Sequence, residues 1–327
     1  MADLGRQVKY GIGRETVYGT GVPAASWINQ LSFSLDPVVE YVDNVSAYGT
    51  VVKTNNSTPL RQHAEGEFEA KITSERAGYF LLGAFGTIVT TTNPDASNAV
   101  YNHTATIKED IAGQSFTLVR KDSLTTKAYP GARFGEFTVT MELGDYIRYT
   151  ANIISKVGAA TTSTPAYTSE TEFLPKHFTV KTASTAAGLG AATAIATIQS
   201  FTLTVNPNLE IDWESGNKDP YAISSHGYDL GFEMTLRYGG TTYEDAYLNG
   251  TKLALQVNAI NTDVTIGTAA KPGLVFTAPS IHITDFSRSE DLDSPVEQSI
   301  TGVIHYSPAD AYALTAVLTN TKTNYTT

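Results

Sequence analysis

The 327-residue chain predicts a mainly β fold in which one domain is written twice, as two β-sandwich or barrel units, each with one short flanking α-helix. Three observations carry this. Tyr, Thr, Val, Phe and Ile dominate short alternating runs broken by Gly, Asn, Asp and Pro, the texture of strands and turns. The stretch SFSLDPVVEY (32–41) returns as TLTVNPNLEI (202–211). A second pair, HAEGEFEAKIT (63–73) and GYDLGFEMTLR (227–237), follows each copy in the same order. The length suits two domains, with a boundary near residue 160, giving 1–160 and 161–327.

Taken in order, GIGRETVYGTG (11–21) reads as part of a glycine-rich N-terminal arm, 1–25. It has neither the dinucleotide spacing nor a Walker lysine. In the first repeat strand Phe33, Leu35, Val39 and Tyr41 alternate with Ser34, Asp36 and Glu40. Its second copy alternates more strictly, with Leu203, Val205, Pro207, Leu209, Ile211 and Trp213 set against Thr202, Thr204, Asn206, Glu210 and Asp212. One buried face and one wet face are expected. Pro37 and Pro207 cannot donate to a ladder and belong at an edge or bulge. In the next matched strand Phe68 falls on Phe232, Glu69 on Glu233 and Glu65 on Asp229.

Each copy then has one helix. SERAGYFLLGAFG (74–86) offers Ser74 as N-cap with Glu75 against the helix dipole, and is apolar nearly all round, so burial on several sides is expected. TTYEDAYLNG (241–250) places Thr241 three before Glu244, a capping-box spacing, and closes on Gly250. Strands over 115–121, 135–143 and 145–155 have counterparts at 252–260, 279–286 and 296–306. The Thr/Ser/Ala/Pro-rich segment 157–173 reads as a linker and 182–194 as a flexible loop.

The chain has no cysteine, which excludes disulfides, thiol nucleophiles and zinc–thiolate sites. No apolar run reaches the ~20 residues of a membrane helix, no signal-peptide core opens the chain, and no membrane partner is expected. Asn56 and Asn102 head N-x-S/T triplets that read as coincidence in a chain so rich in these residues. Over 1–160 fourteen Lys and Arg meet sixteen Asp and Glu; over 161–327 eight meet seventeen. Such a chain has no basic stripe for gripping phosphates. The histidines form no metal or catalytic pair, and His103 reads as a surface or loop residue. Glu290, Asp291 and Asp293 read as a solvated turn, lacking an EF-hand's glycine and closing Glu. Glu67 and Glu69 share a strand face, but within a repeated row of acids and not in a single cleft. No nucleophile–base set appears, so no enzyme, cofactor or metal is expected.

GRETVYGTG, SFSLDPVVEY, EGEFEAKITSERAGYFLLGAFGTIVTTT, VYNHTATI and QSFTLVR resemble the major tail tube proteins of long-tailed bacteriophages. SFTLTVNPNLEI, GFEMTLRYGG, YEDAYLNGTKLAL and VEQSITGVIHY extend the resemblance through the second half, making this a tandem type. The resemblance implies a virion structural protein whose rings stack into the tail tube for genome ejection. It implies self-assembly, a tape measure protein, tail terminator and distal tail proteins as partners, and double-stranded DNA in transit without sequence recognition. It also implies location in the virion tail after assembly in the host cytoplasm. Where single-domain members form rings of six, a tandem chain reaches six domains with three chains, a homotrimeric pseudo-hexamer. If each domain turns four strands inward, 24 strands at ~4.8 Å and about 40° tilt close a backbone bore about 48 Å wide. The acids expected to line it are Asp36, Glu40, Glu65, Glu67, Glu69, Glu142, Glu210, Asp212, Asp229, Glu233 and Glu297, with Lys71 and Arg148 as local neutralisers. Loops 44–59 and 213–224 and the arm 1–25 are candidates for ring-to-ring contact. Two other readings stand beside this one. A tandem adhesin or carbohydrate-binding module would need an aromatic platform such as Tyr129, Tyr167 or Tyr221, and a baseplate or terminator component would stop at one ring.

Overall fold

The computed structural model describes residues 4–92, 95 and 99–326, so residues 1–3 of the N-terminal arm lie outside the description. Along the first half run β1 (Lys9–Arg14), β2 (Ser26–Ile28), β3 (Gln30–Phe33), β4 (Asp36–Asn44), β5 (Asn56–Lys71), α1 (Ala77–Phe85), β6 (Gly86–Thr92), β7 (Tyr101–Ile107), β8 (Phe116–Lys121), β9 (Thr126–Glu142), β10 (Arg148–Ser155) and β11 (Ala159–Ala160). The second half holds β12 (Phe178–Ala183), β13 (Ile198–Asn206), β14 (Leu209–Asp212), β15 (Ala222–Ser225), β16 (Asp229–Arg237), α2 (Thr242–Asn249), β17 (Leu253–Ile260), β18 (Gly273–Ser289), β19 (Glu297–Ile304) and β20 (Thr315–Asn320). The fold is mainly β, with large antiparallel sheets.

One antiparallel sheet spans the whole chain in the order β3/β4, β5, β10, β9, β13, β16, β19, β18. Its first four positions come from the first half and its last four from the second. The registers match across the halves. Phe68 stands between Phe33 and Ala151, and Phe232 between Leu203 and Gly302. Both phenylalanines are 1% exposed. The 17-residue strands β9 and β18 leave this sheet at their N-terminal ends. There β9 pairs with β8 and β11, and β18 with β17 and β20. A second tie between the halves is the β7–β20 ladder. Apolar side chains from most of these strands and from α1 enclose one continuous core, to which β4 and β11 contribute none.

Period 2 explains the dry face. Phe201, Leu203 and Val205 are each 1% exposed while Thr202 and Thr204 are half-buried. The strand stops at Asn206; Pro207 opens a turn in which Asn208 takes φ 46°, and Leu209 to Asp212 continue in a separate hairpin with β15. Pro37 lies in β4, which among the described residues pairs only with β5. That arm leaves the core, so Tyr41 is 61% exposed despite its apolar parity.

Several local expectations give way to contacts that lie far away in sequence. Helix α1 begins at Ala77 and Ser74 does not cap it. The turn that leads into it is held by Glu170, whose Oε2 accepts from Glu75 N at 3.2 Å and Arg76 N at 3.0 Å. All nine residues of α1 are buried, and Gly86 closes it at φ 86°. Thr241 flanks α2, but its hydroxyl donates to Asp245 at 2.8 Å and Glu244 pairs with Arg288, so no capping box forms. Gly250 closes α2 at φ 62°. The linker segment 157–173 is strapped down through β11, Glu170 and Glu172. Residues 182–194 form a 3-10 turn, Ala186–Gly190, pinned by Leu189 at 2% exposure. The glycine-rich stretch is a core strand, since β1 runs between β2 and β8 with Ile12 fully buried. His103 is fully buried as well.

Candidate functional site

The face of the main sheet opposite the core is largely polar, with Ile154 and Val303 as apolar exceptions. On β5, Glu65, Glu67, Glu69 and Lys71 alternate with buried Ala64, Phe68 and Ala70. On β16, Asp229, Glu233 and Arg237 alternate with buried Leu230, Phe232, Met234 and Leu236. Cross-strand partners share a face, so Asp36 joins opposite Glu65, Glu142 opposite Ser200, and Glu297 opposite Arg237. Thr138, Thr140, Thr150, Thr202 and Thr204 fill the positions between.

Eight of the eleven sequence-predicted acids thus lie on one face: Asp36, Glu65, Glu67, Glu69, Glu142, Asp229, Glu233 and Glu297. Glu40 stands on the β4–β5 arm beyond the main sheet, opposite Arg61. Glu210 and Asp212 lie on the β14–β15 hairpin, where Glu210 approaches His226 at 3.3 Å and Asp212 accepts from the Ser224 hydroxyl. The hairpin separates because Pro207 ends the strand, which period 2 alone does not reveal. Asp285 was missed by sequence reasoning. It sits opposite Thr301 on the same face, and its parity with Ile283 is hidden by a bulge between them.

The face is acidic but partly compensated. Arg148 Nη1 donates to Glu69 at 2.7 Å and also meets Asp145, while Lys71 lies 3.2 Å from Glu172. Glu67, Glu142 and Glu233 are exposed. Asp36 directly opposite Glu65 is a like-charge pair that costs stability where it stands. The loop after β14 covers one end, with Trp213 against His63 and under Arg61, and Gln62 bonded to Lys218 and Asp219.

Among the described residues no group of three His, Asp or Glu side chains could hold a metal ion. A cleft lined by Ile107, Tyr228, Leu230, Tyr306 and Tyr312 holds Ser225 with its hydroxyl donated to Pro207 O at 2.6 Å. Of the proposed aromatic platform, Tyr129 is 3% exposed and belongs to the core.

The family model "Phage tail tube protein" matches residues 5–303, from before β1 to the next-to-last residue of β19. No curated protein sequence matches the chain. Among solved structures, the SPP1 tail tube, determined by solid-state NMR and cryo-EM, is 17% identical with a TM-score of 0.33, over 47% of this chain and 81% of that one. The match over almost the full length places the chain in the phage tail tube protein family, a structural family of the virion tail.

Proposed function

We propose that residues 1–160 and 161–327 are twin wall panels, that three chains form a ring of six panels, and that rings stack into a hollow tube for genome ejection. The observation that carries this reading is the eight-stranded sheet, dry on one side and acidic on the other, in which one four-strand set occurs twice. Three such sheets give the 24 strands whose closure leaves a bore of about 48 Å. The acidic face lines that bore. Carboxylates repel phosphates and release no counterions, so the duplex slides without being held. The exposed tip of the β4–β5 arm, with Val45, Tyr48, Val51 and Val52 bare, supplies ring-to-ring contact. A tape measure protein, a terminator and a distal tail protein complete the tail, which assembles in the host cytoplasm.

Electron microscopy of the purified protein at high concentration tests this. Long hollow tubes with threefold rings are expected; discrete rings or dispersed monomers would overturn the tube reading.

A further inference from the structure

Resting on the ring reading above, we infer that the contact between neighbouring chains copies a junction already present inside one chain: the outer edge of β3 pairs antiparallel with the free C-terminal edge of β18 in the next copy. Inside the chain, β13 of the second half joins β9 of the first, with Phe201 opposite Met141, Thr202 opposite Thr140, Leu203 opposite Val139 and Thr204 opposite Thr138. The two halves superpose by register. Glu69 is flanked by Ser32 and Thr150, and Thr150 by Thr138. Glu233 is flanked by Thr202 and Thr301, and Thr301 by Asp285. Hence β3 occupies in the first half the place of β13 in the second, and Asp285 occupies the place of Thr138.

What differs is the covering. Phe201, Leu203, Val139 and Met141 are 3% exposed or less. At the equivalent chain-end positions Leu31 is 47% exposed, Phe33 and Phe286 are half-buried, and Ser32 and Ser287 are exposed. Among the described residues β3 pairs only with β5, and β18 beyond Ile281 pairs only with β19. Two apolar-faced, unpaired edges thus end the same sheet, and the partner that fits each is the other edge on a second copy. Carrying the internal register across sets Ser34 opposite Asp285, Phe33 opposite Phe286, Ser32 opposite Ser287 and Leu31 opposite Arg288. The contact is head-to-tail, so it closes a ring when the rotation allows.

The chain has no cysteine, which makes cross-linking clean. Ser32→Cys with Ser287→Cys places two thiols directly opposite across the inferred junction; Ser34→Cys with Asp285→Cys is a second in-register pair. Ser32→Cys with Ser289→Cys is two positions out. After mild oxidation of assembled protein, both in-register pairs should yield at least about tenfold more interchain disulfide than the shifted pair, ending in a covalent closed trimer. Rings visible in the same sample without that excess would overturn the edge assignment and leave the ring reading intact. Linked ladders passing beyond three chains would uphold the register and sink three-chain closure. Absence of any assembly would sink both.

Discussion

Two buried polar groups fasten the halves together, and each carries a measurable consequence. Arg76 Nε lies 3.1 Å from Glu170 Oε1, both side chains 2% exposed, and the same carboxylate accepts from the backbone N–H groups of Glu75 and Arg76 just before α1. Removing one partner of such a pair leaves an uncompensated buried charge. Glu170→Ala should therefore lower unfolding free energy by about 3–5 kcal/mol in a urea titration. Arg76→Met with Glu170→Leu should recover most of it, short of roughly 1 kcal/mol for the lost hydrogen bonds from Glu75 N and Arg76 N. His103 Nε2 contacts Asn320 Oδ1 at 2.9 Å and its Nδ1 contacts the Thr90 hydroxyl at 2.8 Å. Asn320 in turn donates to Ser74 O and to the Tyr325 hydroxyl. Burial depresses the His103 pKa below its ordinary 6.5, against the upward pull of the Asn320 hydrogen bond. The native state then binds fewer protons than the unfolded chain, so this stability is present above pH 6.5 and lost as pH falls through the native pKa. Wild-type stability should decline from pH 7 to pH 5 in thermal scans, and His103→Gln should flatten that decline. A trace of this site was legible, because His103 shares strand parity with Ala105, which is fully buried. Its partner Asn320 was not, since 217 positions separate them.

Strands and helices with a strong period were readable; their ends were not. The alternation of Phe201, Leu203 and Val205 against threonines required only local geometry, and so did the all-apolar stripe of α1. The turn that leads into α1 is held by Glu170, a residue brought from 94 positions away, and no local capping rule contains it. The flexible-loop reading of 182–194 failed for a related reason, because small residues form a fixed turn when Leu189 finds a core pocket. The C-terminal end of α1 was the exception, as Gly86 declares it. At φ 86° an L side chain is strained, and a Cβ there would stand 2.8 Å from the Lys108 Cβ. Gly86→Ala should cost about 1–2 kcal/mol, read as a lower urea midpoint with an unchanged slope. A midpoint equal to wild type would mean that the helix can end elsewhere.

The placement of the acidic face decides how the whole molecule treats DNA. Eight acids converge on that face from five strands of both halves, which no single-strand reading establishes; what the sequence supplied was their parity. If the face lines the bore, its charge governs whether a duplex is held or released, independently of how the tube is built. Glu67, Glu142 and Glu233 suit the test, since each is exposed and, among the described residues, Arg148 and Lys71 pair with other acids. Replacing all three by Lys reverses the local field at three points per chain, and each new cation near a phosphate releases counterions on contact. Tubes of this variant should bind and shield a short duplex from exonuclease at low salt, with affinity falling steeply as salt rises, whereas wild-type tubes should not. The Gln triple variant should resemble wild type, because it removes repulsion without adding counterion release. A control of equal charge, with Lys at exposed Asp43, Glu214 and Asp291 off this face, should leave the duplex open to digestion. Equal protection by the two Lys variants would place the acidic face on the outside of the tube.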